Sequence, residues 1–470
     1  MLEQFLYILP LLILLGGVFA LTVKKFEANA TPQCFKLSRL ILIISLVLSI
    51  IFYNRPMVAN LSLANYSTLL FICWLFTSAL VILHLAQKWF NTMQQSGASF
   101  CRPLVMAVLS GCLLIISKNL FLTTIALILL IFANMLILWQ SHENKHSHWL
   151  KGTPLKLSLF FGLLIIIIMG KLYYTCGTTD YNVLQIALAQ NQHLLVFAAV
   201  CCLLLAFVFL LAAAPLHYWL LEIATKASLP VLIYFMLVPT TLSLIGLTRL
   251  NMMMLLPLSN SLQIFYVGIG IMSIFVGAIS ACSSSNIRQI LICSIIYNMG
   301  VIFFILQHFS LLNVQTAIVY WFICWLAYVG IGTSLFCFKS KGEYLFAVEQ
   351  FANAAYQKPY ATLMVTLFLF SLLGGPPLSG SLGLFAVLNE LAGHNHFYSI
   401  VYILSMLIIM SYAYLSFIQK LYFANSRNNF DRSGMDLHIL LFFVAVIMVL
   451  ITIEPRYLME YPWIAEIFHG

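Results

Sequence analysis

"LFLFSLLGGPPLSGSLGLFAVLNE" runs from Leu367 to Glu390. It is almost continuously apolar, yet Gly374, Gly375, Pro376 and Pro377 stand at its centre. Proline removes a backbone donor and its ring clashes with the preceding turn, so an uninterrupted helix is excluded here. The rest of the chain says what surrounds this break. Of 470 residues, 63% are hydrophobic and 7% charged, and the mean hydropathy is +1.03. A soluble domain carries roughly 25% charged residues. The exterior of this chain must therefore face lipid or other membrane proteins. The break lies inside a membrane span, where freed carbonyls and amides must find protein or water.

Apolar runs recur from end to end, and about fourteen helical spans are expected at about 20 residues each. They run from 5–23 to 437–454 and include 194–214, 228–249 and 361–381. The runs are too long and too continuous for the alternating strands of a β-barrel. "MLEQFLYILPLLILLGGVFALTVKK" reads as the first span rather than a leader, because Glu3 precedes the apolar run and Lys24 and Lys25 follow it. Of the 22 Lys and Arg, all but Arg55, Lys118, Lys171, Arg249 and Arg456 fall in loops after odd-numbered spans. The positive-inside rule places those loops in the cytoplasm and both termini outside. This bias accounts for the net charge of +9 without a nucleic-acid partner. No CxxC spacing among the 11 Cys and no glycine-rich phosphate loop are present, so metal, iron–sulfur and dinucleotide sites are not expected. The polar stretch 140–153, with His142, His146 and His148, reads as a solvated loop.

A second break stands in "LLAAAPLHYW", at Pro215. Five spans separate the two breaks. Five is odd, so equivalent helices cross the membrane in opposite directions, as in an inverted repeat. Intramembrane ionisable groups usually mark ion pathways, but the spans around both breaks hold none. The candidates for an ion path or for coupling stand near the interfaces. They are His217, Glu222 and Lys226 after the first break, Thr240 after Pro239, Asn298 and His308 around the tenth span, and Glu390 beyond the second break. Glu222 and Lys226 are four residues apart, a helical ion-pair spacing. A structural hydrogen bond for His217 and a link between helices for Asn298 are the simpler roles.

These motifs resemble those of the antiporter-like, proton-conducting membrane subunits of respiratory complex I, and among them the N-type subunits of bacterial NADH-quinone oxidoreductase (mitochondrial NADH dehydrogenase subunit 2). The resemblance rests on "AAAPLHYWLLEIATKASLPV" (Ala212 to Val231), "GAISACSSSNIRQILICSIIYNMG" (Gly277 to Gly300), "SLLGGPPLSGSLGLF" (Ser371 to Phe385) and "SYAYLSFIQKLYF" (Ser411 to Phe423). It implies an all-α membrane protein with two inverted five-helix repeats, whose helices 7 and 12 are broken. The expected parts are 1–100 (helices 1–3), 101–250 (helices 4–8), 251–423 (helices 9–13) and 424–470 (helix 14 and tail). It implies a bacterial inner-membrane location and, as partners, the other membrane subunits of a respiratory complex. NADH, flavin, iron–sulfur clusters and quinone are then expected on partner subunits, with no cofactor and no redox site on this chain. The charged positions of the family are altered. Its lysines fall on Leu210, Thr240 and Leu384, its glutamate near Leu129, and the histidine of its tenth span on Asn298. Leucine cannot exchange a proton, so the resemblance implies a kept scaffold with a lost or rerouted path. A subunit of a related hydrogenase or cation/proton antiporter complex and an independent secondary transporter are the alternatives.

Overall fold

In a computed structural model, residues 2–23, 31–51, 66–93, 97–140, 153–190, 194–424 and 429–455 are described. The chain divides into two compact units, one built from Met1–Leu211 and Lys226–Asn260, the other from Ala212–Thr225 and Ser261–Tyr461. The stretch holding His142, His146 and His148 lies outside the described residues.

The first unit contains α1 (Leu2–Val23), α2 (Thr31–Ile51), α3 (Tyr66–Met93), α4 (Ala98–Ile116), α5 (Leu120–Gln140), α6 (Thr153–Cys176), α7 (Tyr181–Gln190) and α8 (Leu194–Leu210). Past α9 (Tyr218–Lys226) it is completed by α10 (Leu229–Leu237) and α11 (Pro239–Met253). Proline opens both α10 and α11, at a position where a helix amide has no partner to lose. Its surface is apolar. On α6, Leu159, Phe160, Leu163, Ile166 and Ile167 are exposed while Phe161, Ile165, Ile168 and Leu172 are buried. Both faces are greasy, so lipid and not water is the solvent of the outer one.

Most of α9 belongs to the second unit, with α12 (Ser259–Cys282), α13 (Ile287–Ile305), α14 (Leu311–Leu335), α15 (Ala354–Gln357), α16 (Pro359–Leu372), α17 (Ser379–Gly393), α18 (Phe397–Phe423) and α19 (Met435–Ile453). Helices α13 and α14 are its interior: 94% of each span is buried, against 22% for α19. Their starts are fixed by side-chain caps. Asn286 accepts from the Arg288 amide at 3.0 Å and Ser310 from the Asn313 amide at 3.1 Å, each satisfying an amide the helix leaves open. A two-stranded hairpin, Lys339–Ser340 with Glu343–Tyr344, follows α14.

Among the described residues, eleven helices are long and apolar enough to cross a membrane. Shorter apolar helices cover Leu9–Thr22, Leu194–Leu210 and Pro359–Leu372. Two of these short helices are the ones that end at the breaks the sequence marks.

Candidate functional site

Helix α8 stops at Leu210. Ala212 then takes a left-handed conformation (φ 52°), and Ala214–Pro215 is a cis bond. The same order recurs after α16: Gly374 is left-handed (φ 71°), and Pro376–Pro377 is cis. In both breaks the left-handed residue stands three positions before the cis proline. Each break also surrenders a backbone amide to a serine. The Ala214 amide donates to Ser273 Oγ at 2.9 Å, and the Gly380 amide donates to Ser371 Oγ at 3.2 Å. Ser371 serves twice, since its carbonyl accepts the Gly374 amide at 2.9 Å. Satisfying the interrupted backbone inside the protein is what allows a break at this depth.

The second break adjoins a cavity of about 10 Å³ lined by Tyr297, Tyr320, Ser371, Gly374, Gly380 and Leu384, among others. A single water needs about that much room. Leu384 is half-buried and lines this cavity.

Tyr320 leads from this cavity into a buried polar network. Its hydroxyl donates to Asn298 Oδ1 at 2.8 Å, and Asn298 Nδ2 donates to the Tyr328 hydroxyl at 2.7 Å. Tyr328 is 2.8 Å from Ser294 Oγ, and the Tyr414 hydroxyl donates to the same Ser294 oxygen. All five side chains are buried. They come from α13, α14 and α18. Tyr328 accepts from Asn298 and shares one hydrogen with Ser294 Oγ, which accepts the Tyr414 hydrogen. Asn298, for its part, offers a fixed acceptor and a fixed donor. An imidazole at that position takes a proton on one nitrogen and releases it from the other; an amide does not. The network holds three helices together, and at Asn298 its donor and acceptor are fixed.

The other candidate residues are dispersed. Thr240 is buried with its hydroxyl committed to the Met236 carbonyl at 2.7 Å, a bond within its own helix. Leu210 is buried at the end of α8, and Leu129 is half-buried on α5. His217 is half-buried in the broken segment; Glu222 is buried and Lys226 half-buried on α9. Glu390 lines a recess of about 160 Å³ with Gln315, Thr316 and Asn389. His308 lies past the end of α13, ten residues from Asn298 and so about 15 Å along the helix. Among the described residues, Glu222, Arg249 and Arg288 are the buried charged side chains. Arg249 donates to the carbonyl of Ser117 at 2.7 Å and to that of Ile115. Both carbonyls stand at the C-terminal end of α4, where the helix dipole is negative. Arg288 donates to the Thr225 carbonyl at 3.1 Å and lies over the Phe346 ring. Each cation is thus held by helix-terminal carbonyls, which is a structural use of charge. All 11 cysteines are free, and the described residues hold no group of three or more metal-ligating side chains.

Sequence reasoning had Asn298 but not its partners. The signal was present in the spacing: Ser294 and Asn298 share a face of α13, and Tyr320 and Tyr328, eight residues apart, share a face of α14. Ser273 and Ser371 carried no such mark.

Paired helix breaks, satisfied internally and set in a many-spanned apolar bundle, define a polytopic membrane protein with the architecture of ion-translocating subunits. The chain belongs to the NADH:quinone oxidoreductase/Mrp antiporter transmembrane family, whose profile matches residues 117–411. NADH-quinone oxidoreductase subunit N of Pelagibacter ubique is 24% identical over 97% of both chains. A subunit N of Rhizobium meliloti is 26% identical over 58% of this chain and 57% of its own. Among solved structures, a chain of respiratory complex I from Thermus thermophilus superposes with a TM-score of 0.77 at 18% identity, covering 96% of this chain and 98% of that one. A chain of the Mrp complex from a Dietzia species reaches a TM-score of 0.81 at 14% identity, covering 99% and 97%. The structural likenesses establish the fold.

Proposed function

We propose that this chain is the N-type membrane-arm subunit of a proton-translocating NADH:quinone oxidoreductase, and that within it the chain is a scaffold through which protons are not relayed by the usual groups. The chain-long similarity to subunit N proteins supports the first part. The observation that carries the second is the Asn298 network, which is buried and has an amide with fixed donor and acceptor where the family has a histidine. Leu384, at a position where the family has lysine, faces a space of about 10 Å³ beside Tyr320. NADH oxidation and quinone reduction belong on partner subunits. The chain sits in a bacterial inner membrane with both termini on the periplasmic side, among other membrane subunits. Its two repeats are residues 101–250 and 251–423, each with one helix break whose freed amide is taken by a serine.

The test is the number of protons pumped per electron pair by the assembled complex in vesicles. Native complex is compared with one carrying Tyr320→Phe, Tyr328→Phe and Tyr414→Phe, and with one carrying Leu210→Lys, Thr240→Lys and Leu384→Lys. A scaffold leaves the ratio unchanged when the hydroxyls are removed. A lower ratio in an intact hydroxyl-free complex refutes the scaffold role. A higher ratio with the lysines in place identifies the native subunit as silent. Affinity purification tests the first part: recovery with nickel–iron hydrogenase or multisubunit antiporter proteins, rather than NADH- and quinone-binding ones, replaces it.

A further inference from the structure

Three histidines outside the breaks and the tyrosine network meet at one end of the second unit. His308 lies in the turn between α13 and α14. His394 and His396 lie in the turn between α17 and α18. His308 Nε2 is 2.6 Å from His396 Nε2. The His308 ring stacks on both others, with centroids 4.6 Å from His394 and 4.8 Å from His396.

Local backbone geometry sets these positions. Asn395, between the two histidines, is left-handed (φ 60°), a conformation asparagine tolerates. The Asn395 amide donates to the Ala392 carbonyl and the His396 amide to the Leu391 carbonyl, each at 2.9 Å. This closes the end of α17 and brings both rings to the same side. Across from them, the His308 carbonyl accepts from the Ser310 amide at 2.9 Å and from Asn313 Nδ2 at 3.1 Å. Both turns are thus fixed by their own backbones, and the imidazole pair is a side-chain link between residues 88 apart in the chain.

The geometry points to a proton-operated clasp: His308 and His396 hold one hydrogen between their Nε2 atoms and tie the two turns together, and the tie is lost when both rings are protonated. The chemistry is one of donors and acceptors. A neutral imidazole has one donor and one acceptor nitrogen, whereas a protonated one has two donors. With no extra proton, or with one, the pair keeps a donor facing an acceptor, and the singly charged form is strengthened by its charge. With two, both Nε2 atoms are donors and the rings repel.

The surroundings oppose that second proton. Burial holds His308 below the ordinary histidine value of 6.5, and the nearby His394 and His396 add to the effect. Burial and His394 act in the same direction on His396. Glu390 stands one turn before His394 on α17, and its electrostatic link is to His394. The other groups packed here, Tyr266 against Phe309 and Tyr402 against Phe304, do not titrate near neutral pH. Because the folded-state values are depressed, the closed clasp is fully present above 6.5 and is lost as pH falls through the lowered values.

Hydrogen–deuterium exchange of the whole assembled complex tests this, followed by mass spectrometry from pH 8 to pH 5 with correction for intrinsic exchange. The segments read are 306–313 and 392–398, with 371–381, which holds no titratable group, as control. In the native protein, protection of both turns falls about tenfold in one common step below pH 6.5, and the control is unchanged. In His396→Gln and in His308→Gln the step disappears, because glutamine keeps a hydrogen-bonding group but does not titrate. In His394→Gln the step remains and moves to higher pH, since His394 lowers both His308 and His396. No step in the native protein, or the same step surviving in both His308→Gln and His396→Gln, overturns the clasp.

Discussion

The two helix breaks follow one backbone plan with different residues, and the difference separates conformation from packing. At the first, left-handed φ falls on Ala212, and Ala212, Ala213 and Ala214 are fully buried. At the second it falls on Gly374, and the neighbouring glycines leave a cavity of about 10 Å³. Both need a serine hydroxyl for a freed amide. The first takes it from α12, 59 residues away, and the second from α16, nine residues away. One break is thus held by tertiary contact and the other largely by itself.

The largest effect is expected where the second break has no slack. A Cβ at Gly380 would stand 1.6 Å from the Ser371 carbonyl oxygen. The oxygen is backbone and the Cβ position is fixed by backbone, so neither moves aside alone. Gly380→Ala should destabilise by about 3 kcal/mol or more, visible as failed incorporation of the subunit or a large fall in the melting temperature of the complex. An assembled complex with native melting would show that the second break is looser than its geometry.

The serines come next. Ser273→Ala removes the acceptor of the Ala214 amide among close-packed alanines, and an orphaned buried donor costs about 1–3 kcal/mol. Ser371→Ala removes the acceptor of Gly380 beside an existing cavity, where a water can take its place, and should cost less than about 1 kcal/mol. Melting temperatures of the two variants in the same complex give the order. Equal losses would erase the proposed distinction between the breaks.

The smallest effects separate strain from space. A left-handed alanine costs about 1 kcal/mol, most of which Ala212→Gly recovers before the extra freedom of glycine in the unfolded chain offsets it. The net gain is at most about 0.5 kcal/mol. Gly374→Ala adds the same strain and brings a Cβ to 2.7 Å from Leu384 Cδ2. That atom ends a flexible side chain, so the loss should stay near 1–2 kcal/mol. Opposite signs in a thermal-shift comparison are the expected outcome.

Much of this protein is legible in its sequence because the bilayer is a severe solvent. Spans had to be long and apolar, and eleven helices among the described residues are, with shorter apolar ones beside them. The breaks were visible because proline and paired glycines have local consequences. What stayed hidden were the partners. Nothing in the order of residues says that Tyr414 reaches Ser294, that Ser273 serves Ala214, or that His396 meets His308. In a many-spanned bundle the chain returns to the same place after tens of residues, and each return is set by helix packing. Sequence by itself determined a membrane-spanning helical bundle and its two interruptions. Tertiary structure alone decided that the interruptions are satisfied by serines, that Asn298 is locked in a neutral network, and that three histidines share one corner. Hydrogen-bond partners depend on angstrom-scale placement of distant helices, whereas lipid solvation depends only on composition.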